Sequence, residues 1–309
     1  MRTLRFLGFP AALVLSAATC RDTAVPPPGQ SSNATRTLLT DNPFPFHTVA
    51  RVDVYVVSVS ASMTADTGSS GSFVTLATPN RRINLLALQN GITDQLGAVT
   101  LPSGAITAVR MVIDTDSSSI TLKNGTVLTG RSTPGIAWQS SAGRPVLNAL
   151  LHEQIAVPDS GAVVVIDYDV GKAFITPQEI NPSSTDSGFI FSPVIGAADS
   201  ARTGSISGVV HARTANGAPV ADASLRLYIG SASTAEGTWP RLATARTDAT
   251  GAFRFSYVRR SASWTGVYAG KSYIVAVDPP PGLGLSRSLV MNLTVTPGVE
   301  TAAGKVVLP

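Results

Sequence analysis

The sequence predicts an all-β protein, built as two β-sandwich-like domains in tandem. Two observations lead there. Short runs of alternating apolar and polar residues recur along the chain with Gly, Pro and Asn between them, and no stretch carries the period of a long helix. The 309 residues are also enough for about two domains of ordinary size. Hydrophobic residues make up 44%, which supplies a core and excludes a disordered chain. The net charge of +4 includes Arg2 and Arg5 of a segment read below as removed, and the other cations are scattered. No nucleic-acid partner is expected from such a distribution.

Residues 1–19 (MRTLRFLGFPAALVLSAAT) carry two arginines, an apolar stretch and then small residues, the pattern of a secretory signal peptide. The apolar stretch is too short to span a bilayer comfortably. The single cysteine, Cys20, follows at once, and a lone cysteine has no internal disulfide partner. Its position resembles the acylated cysteine of a bacterial lipoprotein, although Ala17 and Thr19 stand where a lipobox favours a branched apolar residue and Gly, Ala or Ser. Plain cleavage after Ala18 is the other reading. Lipid on Cys20 would make the membrane a partner, each buried methylene contributing about 0.8 kcal/mol. Arg21, rather than Asp, after the cysteine implies the outer membrane in the sorting pattern this resembles. Residues 20–47, with three consecutive prolines, read as a flexible tether.

The first folded region is expected over residues 48–197. Val52, Val54 and Val56 alternate with Arg51, Asp53 and Tyr55, a strand of period two, and Phe73–Ala77 reads as another. The apolar run INLLAL (83–88) closes on Asn90-Gly91, a pair that favours a tight turn, and Asn124-Gly125 is a second. Val109, Met111 and Ile113 share one strand face. Ile155–Val157, the turn Pro158–Gly161 and Ala162–Val170 are expected to form a hairpin, with Phe189, Phe191 and Val194 on a closing strand. The order VDVYVVSVSA, INLLALQNG, LPSGAITAVRMVID, VVVIDYDV and FIFSPVI resembles domain-of-unknown-function family 4382, found in bacterial lipoproteins. That resemblance implies a β-rich exported domain and carries no activity.

A linker over 198–204 leads to a second domain, 205–309. Its most informative run is TDATGAFRF (247–255). Asp248 suits a backbone-capping role, Gly251 tolerates positive φ, and Phe253 and Phe255 point to one face, as a hairpin requires. With Gly208, Pro219–Ala223 and Tyr273, this run resembles the carboxypeptidase regulatory-like domain. The resemblance implies a prealbumin-like Greek-key sandwich, here with loop elaborations at Trp239-Pro240 and 256–272.

The chemistry-bearing residues are sparse. His47, His152 and His211 form no zinc pattern, and neither a nucleophile elbow nor a phosphate loop is present. His152-Glu153 reads as a polar turn, and Arg81-Arg82 and Arg259-Arg260 as solvated faces. No catalytic residue, no cofactor and no enzyme activity are expected. Asp167 and Asp169 share a strand face and are candidate calcium ligands; a solvated strand end is the competing reading. Trp239, Trp264 and Tyr268 lie in loop-like stretches and are candidate ligand-binding residues, since exposed aromatics stack on sugar rings. The expected function is a non-catalytic, lipid-anchored cell-envelope protein with a structural or binding role. A carbohydrate-binding surface protein and an accessory subunit of an envelope enzyme or transport system are the alternatives, with a glycan or an envelope protein as partner.

Overall fold

The structure is a computed structural model that describes residues 34–41, 48–64, 72–89, 91–138 and 143–309. The expected signal peptide, Cys20, most of the tether and His47 lie outside the described residues.

Among the described residues the first region contains fifteen strands. The first five are β1 (Thr35–Asp41), β2 (Val49–Ser62), β3 (Phe73–Ala77), β4 (Arg81–Asn84) and β5 (Asp94–Val99). Next come β6 (Gly104–Ile106), β7 (Ala108–Leu122), β8 (Val127–Leu128), β9 (Gly135–Trp138) and β10 (Val146–Leu151). The last are β11 (Ile155–Val157), β12 (Val163–Tyr168), β13 (Phe174–Ile175), β14 (Gly188–Phe191) and β15 (Ile195–Asp199). Ten of them make one sheet along the path β3-β2-β7-β10-β15-β12-β1-β5, with β4 beside β2 and β8 beside β7.

Alternation explains the core. Val52, Val54 and Val56 of β2 and Val109, Met111 and Ile113 of β7 are all buried, while the residues between them are more exposed. The register between these two long strands shifts at three places, and each bulge adds twist. The sheet therefore curls. Its two ends come together where Gly97 of β5 meets β3: a Cβ there would stand 2.9 Å from the Ala77 Cβ.

Four expectations change. The tether does not run through to residue 47, because residues 35–41 form β1 between β12 (parallel) and β5 (antiparallel). The inward positions of β1 are Thr35, Thr37, Leu39 and Asp41, so the alternation is carried mainly by hydroxylated residues that do not read as apolar. The hairpin over 155–170 does not form either. The turn is present, with the Gly161 amide donating to the Pro158 carbonyl at 2.8 Å, but β11 pairs with β6 while β12 pairs with β1 and β15. Val194 lies beyond its expected strand and is partly exposed, whereas Phe189 and Phe191 are buried on β14. Finally, the linker is structured. Asp199 ends β15 and accepts from the Ala201 amide (2.9 Å), capping a single 3-10 turn over Ser200–Arg202 before the next strand starts at Thr203.

The second region has seven strands: β16 (Thr203–Ala212), β17 (Ser224–Gly230), β18 (Arg241–Arg246), β19 (Ala252–Arg259), β20 (Ser272–Asp278), β21 (Ser288–Leu293) and β22 (Glu300–Leu308). A three-stranded sheet, β19-β16-β22, faces a four-stranded one, β18-β17-β20-β21. Ile206, Val210, Phe253, Phe255 and Val306 from the first meet Leu225, Leu227, Val275 and Val277 from the second in one core. This is the expected sandwich, and the chain repeatedly crosses between its sheets. The TDATG turn is one such crossing. It leads from β18 in one sheet to β19 in the other, so it is an arch and not the expected hairpin. Gly251 takes φ +75° there, and a Cβ would stand 2.6 Å from the Val210 carbonyl, which leaves room for glycine alone.

Candidate binding site at the junction of the two regions

Residues 32–309 form one compact unit, and the contact between its two β regions is built around a carboxylate. Glu153, just after β10, accepts from Arg202 Nη1 at 2.8 Å and from Arg260 Nη2 at 3.0 Å, and Arg259 Nε lies 3.7 Å away. Burial alone would raise the Glu153 carboxyl. Hydrogen bonds from Arg202 and Ser263 and the charge of Arg260 outweigh it and hold the group below its ordinary range. Beside it, burial and the Arg259 charge hold His152 below the usual imidazole range, so the ring is neutral at pH 7.

The second region holds Arg259 in place through its own packing. The Arg259 guanidinium sits 4.7 Å from the Trp264 ring centre, and its Nε donates to Ser263 Oγ at 2.6 Å. Trp264 Nε1 donates to the Tyr273 hydroxyl (2.9 Å), and that hydroxyl donates to the Arg259 carbonyl. Across the junction, Lys172 Nζ donates to the Leu242 carbonyl at 3.2 Å and pairs with Asp169 at 2.7 Å.

Between these two ties lies a cleft of about 330 Å³. Its walls include Leu150, Val165, Val194 and Ile195 from the first region and Arg241, Leu242 and Tyr257 from the second. Tyr257 takes φ +54° at a bulge in β19, a conformation that costs a residue with a Cβ.

The expected site residues are placed as follows. Cys20 is outside the described residues. Asp167 and Asp169 both line the cleft. Asp169 accepts from the Lys172 amide (3.1 Å) as a helix cap besides pairing with its ammonium, so this carboxylate is engaged twice. Among the described residues, no three His, Cys, Asp or Glu side chains converge as a metal set.

The aromatic candidates divide. Trp264 and Tyr268 lie edge to face at 5.9 Å. Trp239 is elsewhere, on the outer face of the four-stranded sheet, where it covers Tyr228, Ile274 and Ala276. It is 9% exposed, its Nε1 donates to Thr234 Oγ1 (2.8 Å), and Gly230 makes room for its ring. That corrects the expectation of a loop-borne stacking surface at Trp239: the ring is cover for apolar side chains.

Glu153, Arg202, Arg241 and Tyr257 were not singled out by sequence as site residues, and Arg259-Arg260 is no solvated face. The signal was there as opposite charges, but Glu153 and Arg260 are 107 residues apart and nothing local links them.

Comparison with known proteins bears on the first region. The family model described as Domain of unknown function (DUF4382) matches residues 35–193, half of the chain. The chain belongs to this family. The match begins with β1, in agreement with the place of that strand inside the sheet. No curated protein matches the chain. Solved structures align loosely. The Bacillus anthracis TIE protein aligns at 9% identity and TM-score 0.23, over 90% of this chain and 41% of its own length. The shaft pilin SpaA of Lactobacillus rhamnosus GG aligns at 11% and 0.25, over 89% of this chain and 97% of the pilin. GBS52, the minor pilin of Streptococcus agalactiae, aligns at 10% and 0.22, over 89% and 96%. Scores this low carry no argument about function.

Proposed function

We propose that this DUF4382 protein is a non-catalytic cell-envelope protein, anchored to the outer membrane by lipid on Cys20. There it holds two β modules in fixed relation for a structural or binding role. The second module is read as carboxypeptidase regulatory-like, in keeping with its TDATG arch and seven-strand sandwich. The observation that carries the role is the junction: one carboxylate faced by three arginines ties the two β regions together. Modules that only shared a tether would have no need of it. The lone cysteine after an apolar leader supports the anchor. The test is labelling with radioactive palmitate and fractionation of the envelope. The wild-type chain should take up label and sediment with outer membrane, and Cys20→Ser should do neither. Equal labelling of Cys20→Ser overturns the anchor.

Carbohydrate binding is the second reading, favoured by the adjacent Trp264 and Tyr268 rings. A glycan array with wild type and Tyr268→Ala tests it. Glycan signals that vanish with Tyr268 support the reading, and a blank array removes it.

A further inference from the structure

We propose that the cleft between the two β regions is a binding site for a small amphipathic organic anion, an apolar chain ending in one carboxylate. The proposal deepens the binding half of the function above and does not depend on lipid at Cys20.

Three independent features point to it. The first is exposed apolar surface at a concave place. Leu150 is 60% and Val194 38% exposed, and with Val165 and Leu242 they line one cleft. Solvent-facing apolar groups gathered in a cavity at a domain junction are where small ligands bind. The second is charge. Lys172, Arg202 and Arg259 each have a carboxylate close by, Asp169 for the first and Glu153 for the other two. Arg241 lines the same cleft, is exposed and forms no ion pair among the described residues. Of the four acidic groups that line it, Glu153 is held by Arg202, Arg259 and Arg260, Asp169 is held by Lys172, Asp199 accepts from the Ala201 amide, and Asp167 is also engaged. The cleft therefore offers one uncommitted guanidinium beside an apolar wall. The third feature is strain. Tyr257 is held at φ +54°, and sparsely populated backbone states cluster at ligand sites.

The chemistry follows from these parts. A guanidinium recognises a carboxylate with two parallel hydrogen bonds, and partial exclusion of water by the apolar wall strengthens them. The chain of the ligand would lie on Leu150, Val194 and Leu242. An alcohol of equal length would gain only the apolar share.

The probe is decanoate, with decanol as the uncharged comparison, titrated by calorimetry into the Cys20→Ser full chain. Saturable one-to-one decanoate binding is expected, with decanol about tenfold weaker, in line with the strength of charge-assisted hydrogen bonds. Arg241→Gln should weaken decanoate about tenfold and leave decanol unchanged. Val194→Asp should weaken both. Arg241 and Val194 are solvent-accessible, and an unshifted melting temperature shows that each variant is folded. No saturable decanoate binding, equal binding of decanol, or an Arg241→Gln variant that binds like wild type each overturns the site. None of these outcomes touches palmitate labelling at Cys20, so the two proposals fail separately.

Discussion

The two β regions close their cores differently, although each contains a parallel pair of strands distant in sequence, β1 with β12 in the first and β16 with β22 in the second. In the second, the chain crosses repeatedly from sheet to sheet, and the tight crossing at Thr247–Gly251 carries its own instructions in Asp248 and Gly251. In the first, the sheet is completed by partners far apart. β1 lies parallel to β12, pairing Leu39 with Ile166, and β10 runs parallel to β15. Parallel neighbours cannot be joined by a tight turn. A sandwich whose sheets are linked by several crossings loses stability in increments when one crossing is damaged. A curled sheet that depends on one distant strand loses its closure entirely.

That contrast can be broken most directly at β1. A chain beginning at residue 48 lacks the strand that lies between β12 and β5. We expect it to lose cooperative melting of the first region altogether, read by near-ultraviolet circular dichroism. Wild-type unfolding of the shortened chain would mean that β1 is dispensable.

In the second region the largest single-residue effect belongs to the core aromatics. Phe253 is 3% exposed and meets Phe255 edge to face at 6.1 Å. Phe253→Ala should cost about 3–5 kcal/mol in denaturant unfolding. A cost below about 1 kcal/mol would place the ring at the surface, since only unburied truncations are that mild.

The junction tests whether the regions behave as one body. Glu153→Ala strands three cations, and the cost should be about 1–2 kcal/mol, because the arginines are partly solvated. The pH dependence has a definite sign. The depressed Glu153 carboxyl contributes stability above its unfolded value near pH 4, and this is lost as pH falls through the lower folded value. His152, also depressed, acts in the same direction, because the unfolded ring takes a proton first as pH falls below about 6.5. The difference in thermal melting between wild type and Glu153→Ala should be full at pH 7 and shrink only below about pH 4, as pH falls through the folded value. A constant gap between them would remove Glu153 from the acid response.

How much of this was legible follows from where each instruction sits. Val52–Val56, the core face of β7 and the aromatic pair Phe253 and Phe255 were readable, because strand period and burial coincide there. β1 was hidden by its threonines, whose buried hydroxyls look polar in sequence. The 155–170 hairpin was misread because a good turn says nothing about which strands its arms will join. The cleft was invisible for a further reason. Arg241 and Val194 carry no motif and meet only when the two regions close on each other.

The smallest expected effect lies in the arch that marks the second region. The Asp248 carboxylate accepts from the Thr250 amide at 2.8 Å, the Thr250 hydroxyl at 2.7 Å and the Ala252 amide at 3.0 Å. Those bonds, the Thr250 side chain first, hold its carboxyl below the usual range. The group is almost fully solvated, so water competes for each bond. Asp248→Ala should therefore cost only about 0.5–1.5 kcal/mol. Asp248→Asn keeps one acceptor oxygen and should recover part of that loss at pH 7. The carboxylate contribution is present above pH 4 or so and fades as pH falls through the folded value, since protonation removes the charge these donors face. Wild type and Asp248→Asn should thus differ at pH 7 and approach each other at pH 3. If Asp248→Ala instead unfolds the second region outright, that sandwich also depends on a single element and the contrast with the first region fails. A loss confined to one increment fits a sandwich whose remaining arches hold without it.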